Sequence, residues 1–133
     1  MVKPTKEEKL TFNLQSQDLA AIDLLTKNGF YRNRSDFVQK SIHDQLNKQA
    51  GYLNELVERD VKQRRGVIGL MRLDNKTIQK WADSQKSVSL VVYGLLLIPD
   101  DVEMAELTQV VKSIEVYGIT RASKAIKAHY NLR

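Results

Sequence analysis

Near the start of the chain, Lys9, Thr11 and Asn13 alternate with Leu10, Phe12 and Leu14. In an extended segment this spacing puts the polar residues on one face and the apolar ones on the other. The polar face offers a cation, a hydroxyl and a carboxamide, which can recognise a partner by hydrogen bonding. A second group stands at Arg32-Asn33-Arg34-Ser35-Asp36-Phe37, where two cations lead into a helical pattern. Elsewhere chemically capable residues are sparse. His43 and His129 fall in different halves, and no cysteine supports them in a thiolate metal site or a disulfide framework. Asp100-Asp101 follows a strand pattern, as metal-binding acidic pairs sometimes do, but after Pro99 it reads better as a turn and helix cap. Gly94 and Gly118 belong to no Gly-rich phosphate loop and are expected to allow close strand packing. No catalytic constellation is present. The expected chemistry is recognition by a non-enzyme, with no cofactor and no metal.

The elements that would position these groups begin with the segment itself. A strand of about six residues is unstable alone, because its backbone donors and acceptors stay unpaired. No second strand lies nearby, so the expected partner is the same strand of another copy. Residues 1–8 are polar, carry Pro4 and read as a flexible arm without the apolar core of a signal peptide. Ser16 is the expected N-cap of a first helix, with Asp18 in its first turn and Leu19, Ile22 and Leu25 or Thr26 along one side. Asn28-Gly29 ends it. Ser35 is the expected N-cap of a second helix whose stripe runs through Phe37, Val38, Ser41, Ile42, Gln45 and Leu46. Tyr52 to Lys62 is again helical, either as a continuation to about residue 63 or as a third helix starting near Asn54. Gln63-Arg64-Arg65-Gly66 marks the expected boundary.

The second half has a different texture. Strands are expected over Val67–Leu73, Val88–Ile98 and Ile114–Thr120. Helices are expected over Asn75–Ser84, from Pro99-Asp100-Asp101 through Val102, Leu107, Val110 and Val111, and from Ser123 through Ala125, Ile126 and Tyr130. The middle strand is apolar on both faces and should be buried on both. Trp81 is expected in the core. Val92-Tyr93-Gly94-Leu95 recurs as Val116-Tyr117-Gly118-Ile119, with a weaker copy at Val67-Ile68-Gly69-Leu70. Each unit is a strand, a turn and a helix, and such units must stack or pair to bury a face.

The strand, the Gly29 break and the Asn33-Arg34-Ser35-Asp36-Phe37 helix entry together resemble the ribbon-helix-helix family of DNA-binding repressors, the Arc, MetJ and CopG type, over roughly residues 8–48. The resemblance implies an antiparallel ribbon, one strand from each of two chains, inserted in a DNA major groove. It assigns base contacts to Lys9, Thr11 and Asn13. Asn suits adenine, Lys suits guanine and Thr can meet the thymine methyl. It assigns phosphate contacts to Arg32, Arg34 and the helix start at Ser35, Asp36 and Phe37, where free amides and the helix dipole favour an anion. Asp36 is expected to lie alongside the helix, since pointing forward it would oppose the phosphate. Family ribbons often carry Arg where Thr11 and Asn13 stand. The nickel-responsive branch of similar length needs a His-rich second domain, and His129 alone does not supply one.

The whole reading is an α+β chain. A ribbon-helix-helix DNA-binding domain with a swapped-strand dimer occupies residues 1–50, a helical linker 51–66, and an α/β domain of strand-turn-helix units 67–133. The expected function is sequence-specific, double-stranded DNA binding as a transcriptional repressor in a prokaryotic cytoplasm, associated with the nucleoid. The expected partners are DNA, a second copy as homodimer and further copies through the C-terminal domain. Lys and Arg outnumber Asp and Glu by 21 to 16, a net charge of +5 that is compatible with a polyanion. The basic middle, including Arg59, Lys62, Arg64, Arg65, Arg72, Lys76, Lys80 and Lys86, reads as a solvated face or as contact to flanking DNA. The longest apolar run, Leu90–Ile98, is roughly half the ~20 residues of a membrane helix. Two alternatives stand beside this one. An antitoxin would neutralise a partner with its C-terminal half, and a plasmid-partition or DNA-organising protein would coat DNA.

Overall fold

A computed structural model describes residues 7–63 and 65–133. The expected arm therefore lies outside the described residues over 1–6, as do Arg64 and the side chain of Arg65. The chain is mixed α+β and divides into two compact units, Lys9–Leu56 and Val57–Arg133.

The first unit carries α1 (Ser16–Lys27), α2 (Arg34–Lys48) and the start of α3 (Ala50–Gln63). Residues 7–15 are exposed and form no regular element within the single chain, so the expected strand has no ladder here. The expected Ser16 cap is corrected. Gln15 holds the N-cap position with no side-chain cap bond, and its carbonyl already accepts the Leu19 N–H at 3.0 Å. Ser16 thus lies inside the first turn. Gly29, at φ +82°, takes the left-handed turn that ends α1, and the Phe30 N–H bonds back to the Leu25 carbonyl at 3.0 Å. Gln49 interrupts the helical run after α2, so α3 is a separate helix that begins at Ala50, ahead of the expected start near Asn54.

The unit has almost no core of its own. Ile22 is its single buried apolar residue, while Leu10, Phe12, Leu24, Phe30, Ile42 and Leu46 are all at least half exposed. A segment of this size that leaves so much apolar surface in water lacks the driving force to hold its fold alone.

The second unit is built on a parallel three-stranded sheet in the order β1 (Arg65–Arg72), β2 (Val88–Leu97), β3 (Val111–Arg121). Helices α4 (Asn75–Asp83), α5 (Met104–Val110) and α6 (Lys124–His129) follow the strands in turn. One apolar cluster joins Leu90, Val92 and Leu96 of β2 to Ile78 and Trp81 of α4, Leu107 and Val110 of α5, and Ile126 of α6. Trp81 is in the core as expected. β2 is buried on its other face too, at Val91 and Leu95, as a central parallel strand should be. Asp74 caps α4 by accepting the Thr77 N–H at 3.0 Å, and Ser123 caps α6 by accepting the Ile126 N–H at 3.3 Å.

The expected helix from Pro99 to Val111 is corrected. Pro99–Asp101 forms a turn closed by the Val102 N–H on the Pro99 carbonyl at 3.2 Å, and α5 starts only at Met104. The Asp100-Asp101 pair does not cap it, because Glu103 sits at the N-cap without a side-chain bond. Val111 already belongs to β3, which pairs Val111 with Val88.

The repeat is in register across all three strands. Val67, Val92 and Val116 pair in one row, Ile68, Tyr93 and Tyr117 in the next, Gly69, Gly94 and Gly118 in the third, and Leu70, Leu95 and Ile119 in the fourth. The weak first copy is therefore a full member. The glycine row explains itself by close approach: a Cβ on Gly94 would lie 2.2 Å from the Gly69 carbonyl oxygen, and one on Gly118 would lie 2.1 Å from that of Gly94.

Candidate nucleic-acid interface

The segment that precedes α1 presents its six alternating side chains to solvent. Leu10, Phe12 and Leu14 are 78%, 57% and 43% exposed. Lys9, Thr11 and Asn13 are exposed as well. Apolar side chains of this size are seldom left so open on a settled surface.

The entry to α2 is more tightly built than the sequence suggested, and two expectations are corrected. The N-cap is Asn33 rather than Ser35. Its backbone is extended and its Oδ1 accepts the Asp36 N–H at 2.8 Å. Asn is among the strongest caps, and here it stands two residues ahead of Ser35. The amides of Asp36 and Phe37 are consequently engaged, the second with the Asn33 carbonyl at 3.3 Å. They cannot serve an anion as they stand. The amides of Arg34 and Ser35, first in the helix, have no carbonyl four residues back within it and carry the positive end of its dipole.

Asp36 turns back alongside the helix. Its Oδ2 accepts the Arg32 N–H at 3.0 Å and lies 3.3 Å from Lys40 Nζ, while its Oδ1 is 3.5 Å from Arg32 Nη2. The Arg32 amide, followed by Lys40 and the Arg32 guanidinium, outweighs desolvation and holds its carboxyl below the usual carboxylate range. Tyr31 and Phe37 meet edge to face at 4.9 Å, with Lys40 Nζ 5.5 Å from the Tyr31 centroid. Sequence reasoning missed the Arg32–Asp36–Lys40 cluster, although the four-residue spacings that make it were visible.

Arg34 is not free. Its Nε and Nη2 each donate to Asp23 of α1 at 2.8 Å, an exposed bidentate pair. The hydrogen bonds and the opposite charge lower the Asp23 pKa and raise that of Arg34. Arg32 has 85% of its side chain in water.

A family model described as the Ribbon-Helix-Helix transcriptional regulator family matches residues 5–127. The chain belongs to that family. No curated protein and no solved structure matches it significantly. Ribbon-helix-helix regulators bind DNA, typically as dimers, and they are generally non-enzymatic. The match runs through both compact units, so the α/β unit belongs to the family pattern along with the N-terminal segment. Among the described residues, no group of three His, Cys, Asp or Glu side chains could hold a metal, and no helix is long and apolar enough to cross a membrane.

Proposed function

We propose that this regulator is a sequence-specific repressor, whose N-terminal segment pairs with that of a second chain to form a β-ribbon in the DNA major groove. The observation that carries this reading is the open apolar row Leu10, Phe12 and Leu14, in a unit whose single buried apolar residue is Ile22. Pairing two such segments gives the backbone groups that face the other strand their hydrogen bonds and turns both apolar rows inward. Fully burying one Leu or Phe contributes about 1.5–3 kcal/mol. The same pairing turns Lys9, Thr11 and Asn13 outward on a two-stranded ribbon, a shape that the major groove admits.

The phosphate anchor is the first turn of α2, through the amides of Arg34 and Ser35. Arg32 adds charge, and Arg34 joins it by exchanging Asp23 for a phosphate. That exchange costs little, because an exposed ion pair contributes little to stability. Asp36 does not repel the phosphate, since Arg32 and Lys40 neutralise it. In this reading residues 1–50 bind DNA, 51–66 link and 67–133 join further copies. The folded core of the α/β unit, complete without a partner chain, favours this over an antitoxin tail.

Selection of bound duplexes from a random pool tests the proposal. The protein should enrich a defined sequence, and Asn13→Ala should blur it at one position in each half while the far-ultraviolet spectrum stays unchanged. Equal loss of affinity for enriched and random DNA would show that Asn13 reads no base. No enrichment by the wild-type protein would reject sequence-specific binding.

A further inference from the structure

Helices α4, α5 and α6 cover one face of the sheet, while the other face is buried at Val91 and Leu95 of the central strand and open along the outer strands. The helices pack on the face of Leu90, Val92 and Leu96. The other face carries the row Ile68, Tyr93, Tyr117 and the row Leu70, Leu95, Ile119, with the glycine row between them. Ile68 is 70% exposed, Leu70 55% and Tyr117 50%. The end of α3 reaches this face at Tyr93, whose hydroxyl donates to Asp60. The Tyr93 and Tyr117 rings stack at 5.1 Å and 7°, which makes a flat aromatic step. Beside it runs an open groove of about 400 Å³, floored by Gly69, Gly94 and Gly118 and walled by Leu70, Leu95 and Ile119. A parallel sheet is ordinarily buried on both faces.

We infer that this face is a contact surface for the same face of a second copy of the chain. Three observations select that occupant. The two rows contain no cation, and the carboxylates of Asp60 and Glu115 that accept the Tyr93 and Tyr117 hydroxyls disfavour a polyanion there, while an apolar face of the same kind can cover the aliphatic row. The surface is complementary to itself. Rows on one face of a strand stand about 7 Å apart, room for one row of side chains, so the aliphatic row of one copy fits the glycine groove of another under a two-fold axis. The patch is also small, roughly 200 Å² in plan from strand spacings, against about 800 Å² per partner for a stable free association. It therefore fits chains that something else has already gathered. The inference rests here on the ribbon pairing proposed above, which supplies that local concentration.

The chain has no cysteine, so single introduced cysteines report contacts cleanly. Full-length Ile68→Cys, Lys80→Cys and Thr11→Cys proteins would be treated with a bismaleimide of about 10 Å reach, the separation of the outer strands, and resolved on a denaturing gel. Lys80 is exposed on α4, on the covered side of the sheet. The expected result is a linked two-chain product from Ile68→Cys and from Thr11→Cys and none from Lys80→Cys. Adding Tyr117→Lys to Ile68→Cys should reduce its product severalfold and leave ribbon linkage in a matching Thr11→Cys, Tyr117→Lys protein unchanged. Linkage at Thr11→Cys with none at Ile68→Cys overturns the face contact alone, as it would if a small apolar ligand or an unrelated protein were the occupant. Linkage at neither position overturns ribbon and face together. Equal linkage at Ile68→Cys and Lys80→Cys, or indifference to Tyr117→Lys, also overturns the face contact.

Discussion

At the scale of residues, the entry to α2 decides where an anion can sit. Asn33 ties up the Asp36 amide, and Asp36 in turn takes the Arg32 amide, so the chain reverses through two reciprocal side-chain bonds. Asn33→Ala should cost about 1 kcal/mol, the usual worth of such a cap, read from the midpoint of denaturant unfolding. Ser35→Ala, by contrast, removes no cap and should leave that midpoint nearly unchanged. Asp36 gives the site a pH signature. Its folded pKa lies below its unfolded value, so the stabilisation is fully present above the unfolded value and is lost as pH falls through the folded one. Wild-type stability should therefore drop on acidification below about pH 4. Asp36→Asn should be less stable than wild type at neutral pH, with the difference shrinking toward acid. A difference that does not change with pH would show that the Asp36 charge is unimportant. The motif Asn33-Arg34-Ser35-Asp36-Phe37 was legible as a helix entry. Which of two good caps would act was not, because Asn and Ser are near equals and tertiary pairing of Arg34 with Asp23 helps set the turn.

Among elements, the sheet shows what a repeat can disclose. The recurrence of Val-Ile-Gly at Val67 as Val-Tyr-Gly at Val92 and Val116 puts the strands in sequence, and their register follows because a one-residue slip would set a side chain against a neighbouring carbonyl. The strands β1 and β2 and the helix α4 were legible within a residue or two, since periodicity and the Pro99 boundary agree. The turn-to-α5 passage was not. Val102, Leu107, Val110 and Val111 fit both a helical stripe and a buried strand entry, and only pairing of Val111 with Val88 settles the choice. Gly94→Ala and Gly118→Ala should each destabilise the α/β unit by more than about 1–3 kcal/mol, the usual cost of a strained backbone, because a clash adds to positive φ. Gly69→Ala has positive φ but open space at its Cβ and should cost less. Gly51→Ala, in a helix with nothing nearby, should stabilise by about 0.4–1 kcal/mol. Thermal unfolding of the four variants ranks them, and equal effects at Gly51 and Gly94 would contradict the glycine row's role.

For the whole molecule, the division of labour is between a first unit with little core and a second with a complete one. Alternation over Lys9–Leu14 predicts a strand, and residues 7–15 carry no regular structure within the single chain; in the proposed ribbon the ladder would come from a second chain. Truncation after Gly66 should leave a two-chain DNA-binding fragment with lower affinity for paired sites, measured by titration on one and two copies of the selected sequence. A fragment that cannot fold would show that the α/β unit is needed to hold the first together. The proposed ribbon joins two chains on one DNA site. Its most direct test is the stoichiometry of the full-length protein on a single selected duplex, for wild type and Phe12→Asp, with helicity checked in parallel. Two chains per site are expected for the wild type, and for Phe12→Asp no two-chain complex and no specific binding with the α/β unit still folded. One chain per site, or unaltered binding by Phe12→Asp, would contradict it.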